Sequence, residues 1–354
     1  MNSAIPSSFP VLPPNLIPAM LSVRSQIGAP MLAALADYVL HAATLGHLEA
    51  AAALQTLGEQ LPAHDLTAAA KPVPTVSAVA NALLADDVAH DQYFHVRRVS
   101  ESEGTAFLRS ILTAARLFHA EMGSVYGPLD AQRFAAVAAG FTALLGGIAG
   151  IRAAAVEHSA AGACAVPTAV DPMRRWVLGH QIFATLTQGI IFALQDFEIA
   201  ARAPNPEQAR EALKLAADLL MASASAFRFT GDFAPSAYRD LVRPSMMAPR
   251  VGEGFSGLLS IDHRQLVAML VRTRSLMGET AVRFAPEHQR LATALNHVYD
   301  DHKFVCAQFD GAKKPSLRCP RSSPLPGVEQ LDRYQRARVG LLYPNVGTDT
   351  VILE

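Results

Sequence analysis

The chain has 354 residues, of which 51% are hydrophobic and only 17% charged, below the quarter or so that is usual for a soluble domain. Its formal net charge of -1, with no basic block, argues against nucleic acid or an anionic membrane surface as a partner. Three cysteines, Cys164, Cys306 and Cys319, cannot pair completely, so no disulfide framework is expected and a reducing, cytoplasmic setting fits best.

The first residues, Met1-Asn2-Ser3-Ala4-Ile5-Pro6, show no basic stretch followed by an apolar run, so no signal peptide is expected. Residues 1–27 read as an extended segment. Beyond them, alanine and leucine recur at steps of three and four, and strand patterns are scarce. The spacing predicts helices over 30–57, 77–89, 104–122, 131–155, 172–201, 206–227, 262–277 and 286–309. Pro30, Pro172, Pro206 and Pro286 fall at or near the predicted starts, where a missing N–H costs little. The fold class is therefore all-α, one large helical domain over 28–312 followed by an irregular tail over 313–354.

The most apolar run, 135–150, is uncharged but rich in alanine and glycine, with Arg152 close behind it. A bilayer span needs about 20 mainly apolar residues, so this run is expected to be a buried central helix. No fixed-period repeat and no nucleotide-binding glycine pattern occurs.

Two places carry side chains suited to chemistry. The first is the long proline- and glycine-rich connection over 229–257, since connections of that length are usually functional or disordered. It holds Ser236, Tyr238, Arg239 and Arg243. An arginine there could grip the carboxylate of a small substrate with its planar fork, or simply pair with a surface acid.

The second is His302-Lys303-Phe304-Val305-Cys306, preceded by His263 just after a candidate Ser260 N-cap. Positions i and i+4 share a helix face, so the His302 imidazole and the Cys306 thiol point into the same space. A flat metal macrocycle suits that pair, the imidazole ligating the metal and the thiol reaching the ring edge. A tetrahedral zinc site suits it less, because no CxxC partner pair lies nearby. His302 also falls on the apolar stripe Leu291, Leu295, Val298, Val305, where it could serve as a core histidine, and Cys306 could pack as a small hydrophobe. His95, His119, His180 and His297 are further histidines that could act from a distance.

The pairing of His263 with His302-x-x-x-Cys306 resembles the pattern of the haem-dependent 3-methyl-L-tyrosine hydroxylases of saframycin-type antibiotic pathways, most specifically over the last third of the chain. The resemblance implies the helical fold of the haem-dependent aromatic oxygenases, which includes the tryptophan and indoleamine dioxygenases. It implies haem as cofactor, with His263 and His302 as axial ligands to the iron and Cys306 forming a single thioether to a vinyl group. The implied reaction hydroxylates 3-methyl-L-tyrosine, a small aromatic amino acid, with hydrogen peroxide, or with dioxygen and an external reductant. His263 is the implied catalytic acid/base after leaving the iron, and the Ser236-x-Tyr238-Arg239 stretch the substrate-binding region. A dioxygenase acting on an indole or on tyrosine, and a bis-histidine electron carrier, are the competing readings. Homodimer formation is left open.

Overall fold

The computed structural model describes residues 8–62, 78–99, 102–151, 170–255, 260–309, 311 and 325–342. Cys164 and Cys319 lie outside them. The architecture is all-α, as expected. Among the described residues the strand content is a single parallel pair, β1 (Phe9–Val11) and β2 (Val96–Arg98), with Phe9 opposite Val96.

The first predicted helix divides in two. Helix α1 (Met20–His41) starts inside the segment expected to be extended, and α2 (His47–Glu59) follows a short turn. Gly28 takes φ +77° and breaks α1, a backbone state that costs glycine little. Pro30 then stands just inside the second arm, where its ring is tolerated. Helices α3 (Ala78–Tyr93) and α4 (Glu103–Val125) come next.

The predicted helix 131–155 is also interrupted. Helix α5 (Pro128–Arg133) stops at Phe134, and α6 (Ala135–Ala149) ends at Gly150 in the left-handed conformation, φ +78°. Ile151 N donates to Gly146 O at 2.8 Å, and the Arg24 guanidinium donates to the carbonyls of Ile148 and Gly147 at 2.9 and 2.8 Å. The last carbonyls of α6 are thus satisfied by a glycine turn and a cation from α1. With 15 residues, or about 22 Å of helix, α6 is too short to cross a bilayer, as the sequence suggested.

Helix α7 (Pro172–Arg202) is the centre of the molecule. Asp171 caps it by accepting from Met173 N and Arg174 N. Among the described residues two helices, Met20–Thr44 and Pro172–Arg202, are long and apolar enough to cross a membrane, but 89% of the most apolar stretch of the second is buried and it reads as a core helix. Helix α8 (Pro206–Thr230) returns along α7, and α6, α11 (Ile261–Thr280) and α12 (Ala285–Gln308) pack around this pair. Backbones approach closely where glycine allows it: a Cβ on Gly179 would collide with Thr230 and one on Gly140 with Ala222.

Between α8 and α11, the connection is not a loose loop. It coils through α9 (Pro235–Ala237), a π-helical turn (Tyr238–Val242) and α10 (Arg243–Ser245). The tail is not wholly irregular either. Helix α13 (Gly327–Leu342) packs on α12 and α11, burying Leu331, Leu341 and Leu342. Those leucines keep helical spacing in a charged segment, a weak amphipathic signal next to the proline-rich run before it.

Candidate active site

Pair contacts fix the relative directions of the four long helices. Phe183 of α7 meets Phe227 of α8 at 4.6 Å, and Gln208 of α8 bonds Asp196 of α7 at 2.9 Å, so the two run antiparallel. Helix α11 follows α7, with Asp262 on Gln188 and Arg272 on Glu198. Helix α12 follows α8, with Arg290 on Asp218 and Arg228 on Asp301. Helices α11 and α12 are therefore antiparallel to each other, and His263 near the start of one stands at the same end as His302 near the close of the other. Measured along α7, the Gln188 level of α11 and the Phe183 level of α12 differ by about 8 Å.

His302 lies flat on Phe227, centroids 4.2 Å apart and planes at 13°. It remains partly accessible, and neither ring nitrogen meets a hydrogen-bond partner among the described residues. Burial pushes its pKa from 6.5 down to about 4, so the ring is neutral at pH 7 with a lone pair unused. A buried histidine of purely structural role normally has its nitrogens satisfied. A neutral imidazole offered without a protein partner is what a metal needs. The neighbouring aspartates, Asp300 and Asp301, do not orient it: Asp301 pairs with Arg228 at 2.6 Å and Asp300 with Lys303 at 3.1 Å. They hold the helix, as adjacent positions on a helix do not face one another.

Cys306, one turn on, is half-buried and unpaired. Burial raises its pKa, and the nearby Arg243 cation partly offsets the rise. Its sulfur lies against two glycines: a Cβ built on Gly327 would fall 2.7 Å from Sγ, and one on Gly311 closer still. Gly311 N also donates to Cys306 O at 2.7 Å. The end of α12 and the start of α13 thus form a glycine cradle for this thiol. Tyr238 stacks on Phe309 at 4.1 Å and 3° and lies 5.7 Å from Trp176. Burial raises the pKa of its phenol, and the nearby Arg243 cation partly offsets the rise.

His263 sits in the first turn of α11, where Ser260 caps Asp262 N at 3.2 Å. Asp262 is 1% exposed and receives Arg98 Nη1 and Nη2 at 2.9 and 2.8 Å and Gln188 Nε2 at 2.7 Å. Arg98 in turn donates Nε and Nη2 to Asp91 at 2.8 and 2.9 Å and Nη1 to Leu12 O at 3.0 Å. The helix start that carries His263 is pinned to α3, α7 and the strand pair, although a glycine-rich stretch precedes it. Sequence spacing had no means of finding this network.

The predicted substrate-binding stretch divides. Tyr238 joins the Cys306 surroundings, but Ser236 and Arg239 are exposed, and Arg239 Nε faces Asp240 Oδ1 at 3.3 Å. The π-helical turn puts Arg243, four residues later and half-buried, where the inner arginine is. Among the other histidines, His180 stands out. It stacks on Phe94 at 4.0 Å and 14°, lies 4.5 Å from Trp176, and feels His302 electrostatically. His119 instead pairs with His47, Nδ1 to Nδ1, at 2.9 Å, away on the α2/α4 contact.

A profile of the family described as SfmD 3-methyl-L-tyrosine peroxygenase matches residues 10–294. The chain belongs to that family. The matched span takes in His263 and stops short of His302 and Cys306. A relative from Streptomyces lavendulae named 3-methyl-L-tyrosine peroxygenase is 32% identical over 207 residues, 57% of this chain and 56% of the relative; the match spans little more than half of that protein's length. The solved structure of SfmD, reduced by soaking with sodium hydrosulfite, has the same fold at TM-score 0.66 and 22% identity, covering 83% of this chain and 95% of the other.

Proposed function

We propose that this member of the SfmD family binds haem and uses hydrogen peroxide to hydroxylate 3-methyl-L-tyrosine to 3-hydroxy-5-methyl-L-tyrosine. In the net reaction a ring C–H becomes C–OH while peroxide is reduced to water, a two-electron exchange that needs no further reductant. The observation that carries the proposal is the His302 imidazole, neutral, partly accessible and without a hydrogen-bond partner among the described residues, one helical turn before Cys306. The family and the relative's name support the substrate and the oxidant.

In this reading His263 and His302 would hold the haem iron, and Cys306 would hold the haem covalently through its sulfur. Haem when bound supplies the redox chemistry with peroxide; the chain supplies position and proton control. Arg243 is better placed than Arg239 to hold the amino acid's carboxylate, since it is half-buried beside Tyr238 and Cys306. We place the reaction in the cytoplasm on the cysteine usage.

The test is to incubate the purified, haem-loaded protein with 3-methyl-L-tyrosine and hydrogen peroxide and to follow products by mass spectrometry. The expected product gains one oxygen atom and forms without added reductant. Conversion of tyrosine or an indole in preference would favour the dioxygenase-type alternative. No product with any aromatic amino acid, together with reversible one-electron reduction, would favour the electron carrier.

A further inference from the structure

Among the described residues, five histidines besides His263 and His302 are buried or half-buried, and one of them is built to meet a ligand. His180 lies in mid-α7, one turn before Phe183, whose ring leads through Phe227 to His302 at successive centroid distances of 4.6 and 4.2 Å. Its ring orientation is fixed on two sides by the Phe94 stack and by Trp176. Its tautomer is fixed as well: Nδ1 lies 2.7 Å from the Trp176 carbonyl oxygen, which can only accept, so Nδ1 carries the hydrogen.

That assignment leaves Nε2 as a bare lone pair. No described residue donates to it, and it is not sealed in by protein, because His180 keeps partial accessibility while other interior atoms without partners, such as Trp176 Nε1 and Gln181 Oε1, are fully enclosed. Burial lowers the His180 pKa to about 3, with His90 and His302 adding to the fall. The ring therefore stays neutral at working pH, and Nε2 acts as an acceptor.

An interior acceptor flanked by aromatic rings suits a flat apolar ligand that carries one hydrogen-bond donor. We propose that His180 Nε2 accepts the hydrogen bond of the substrate's phenol hydroxyl, making His180 the residue that selects phenols over ring analogues lacking the oxygen. The inference rests on the reading of the chain as an aromatic hydroxylase and adds a subsite to it. A site built around such a bond rejects the analogue that cannot make it, because the buried lone pair is then left unmet.

The experiment compares equilibrium binding of 3-methyl-L-tyrosine and 3-methyl-L-phenylalanine to the haem-loaded protein by calorimetry, without peroxide. The wild type is expected to prefer the phenol about tenfold, the worth of one buried hydrogen bond. In His180→Phe, which keeps a ring against Phe94 and Trp176, phenol binding should weaken about tenfold while the analogue is unchanged. His180→Gln, which restores an acceptor, should recover part of the preference. Circular dichroism reports whether each variant folds, and His180→Leu takes the place of His180→Phe if the latter does not. Phenol preference that survives in the variant lacking an acceptor, or is absent from a wild type that binds both ligands, overturns the inference alone. A wild type that binds neither ligand overturns the hydroxylase reading and the inference with it.

Discussion

At the residue scale, the site is a set of side chains whose ordinary partners have been withheld or supplied with care. Asp262 is the clearest supplied case, with three donors from Arg98 and Gln188 on one buried carboxylate. Replacing it by alanine removes one partner of a buried ion pair, which is expected to cost about 3 kcal/mol. Urea unfolding measures this as a lower midpoint, and a loss near zero would show that Asp91 alone satisfies Arg98. Because Asp262 precedes His263, the same variant should show weakened low-spin haem absorption at temperatures where it remains folded. The His302–Cys306 pair was legible in the sequence, since i,i+4 spacing on a helix puts two side chains together whatever else the fold does. The inward position of Arg243 was only half legible. A π-helical turn shifts which arginine faces inward, and no periodicity in the sequence announces that turn. His180 was legible only as one histidine among several, because its distinction lies in a carbonyl and two rings brought to it by the fold.

At the scale of elements, helix existence was legible almost throughout and helix continuity was not. The spacing predicted one helix over 30–57, whereas the chain turns through Ala42–Thr44 between α1 and α2. Helix α13 was missed because its few buried leucines lie among charged residues after a proline-rich run. The α7/α8 crossing depends on a residue that helix propensity would call a flaw. Gly179 faces Thr230 with no room for a Cβ. Gly179→Ala should therefore destabilise the protein by about 1–3 kcal/mol, although alanine is the better helix former. Thermal unfolding distinguishes the two effects, and a raised midpoint would contradict the packing. Gly327→Ala tests the thiol cradle in the same way. The added methyl would crowd Cys306 Sγ, so thiol labelling of the haem-free, folded variant should differ in rate from wild type, and an unchanged rate would count against the cradle.

At the scale of the whole molecule, burial holds several histidines neutral. Their pKa values fall from 6.5 to about 3 for His119 and His180 and to about 4 for His302, desolvation being the main cause in each. The unfolded chain binds protons at these sites below pH 6.5 while the folded chain does not. Stability from this source is therefore fully present above pH 6.5 and is lost as pH falls from there toward 3. For the haem-free protein, urea midpoints measured between pH 7.5 and 4.5 should decline steadily, and His119→Phe should flatten the decline. Midpoints that hold constant across that range would contradict the burial of neutral rings. The low charge content and the large apolar core were both legible from composition.

We propose that His302 and Cys306 together hold one haem, the first by its imidazole and the second by its thiol. The most direct measurement is the absorption spectrum of the purified protein before and after acid-acetone extraction, in wild type and in Cys306→Ala. A low-spin haem band that stays with the wild-type polypeptide and extracts from Cys306→Ala is the predicted result. Haem that extracts fully from the wild type, or a protein that stays colourless when haem is supplied, would contradict it.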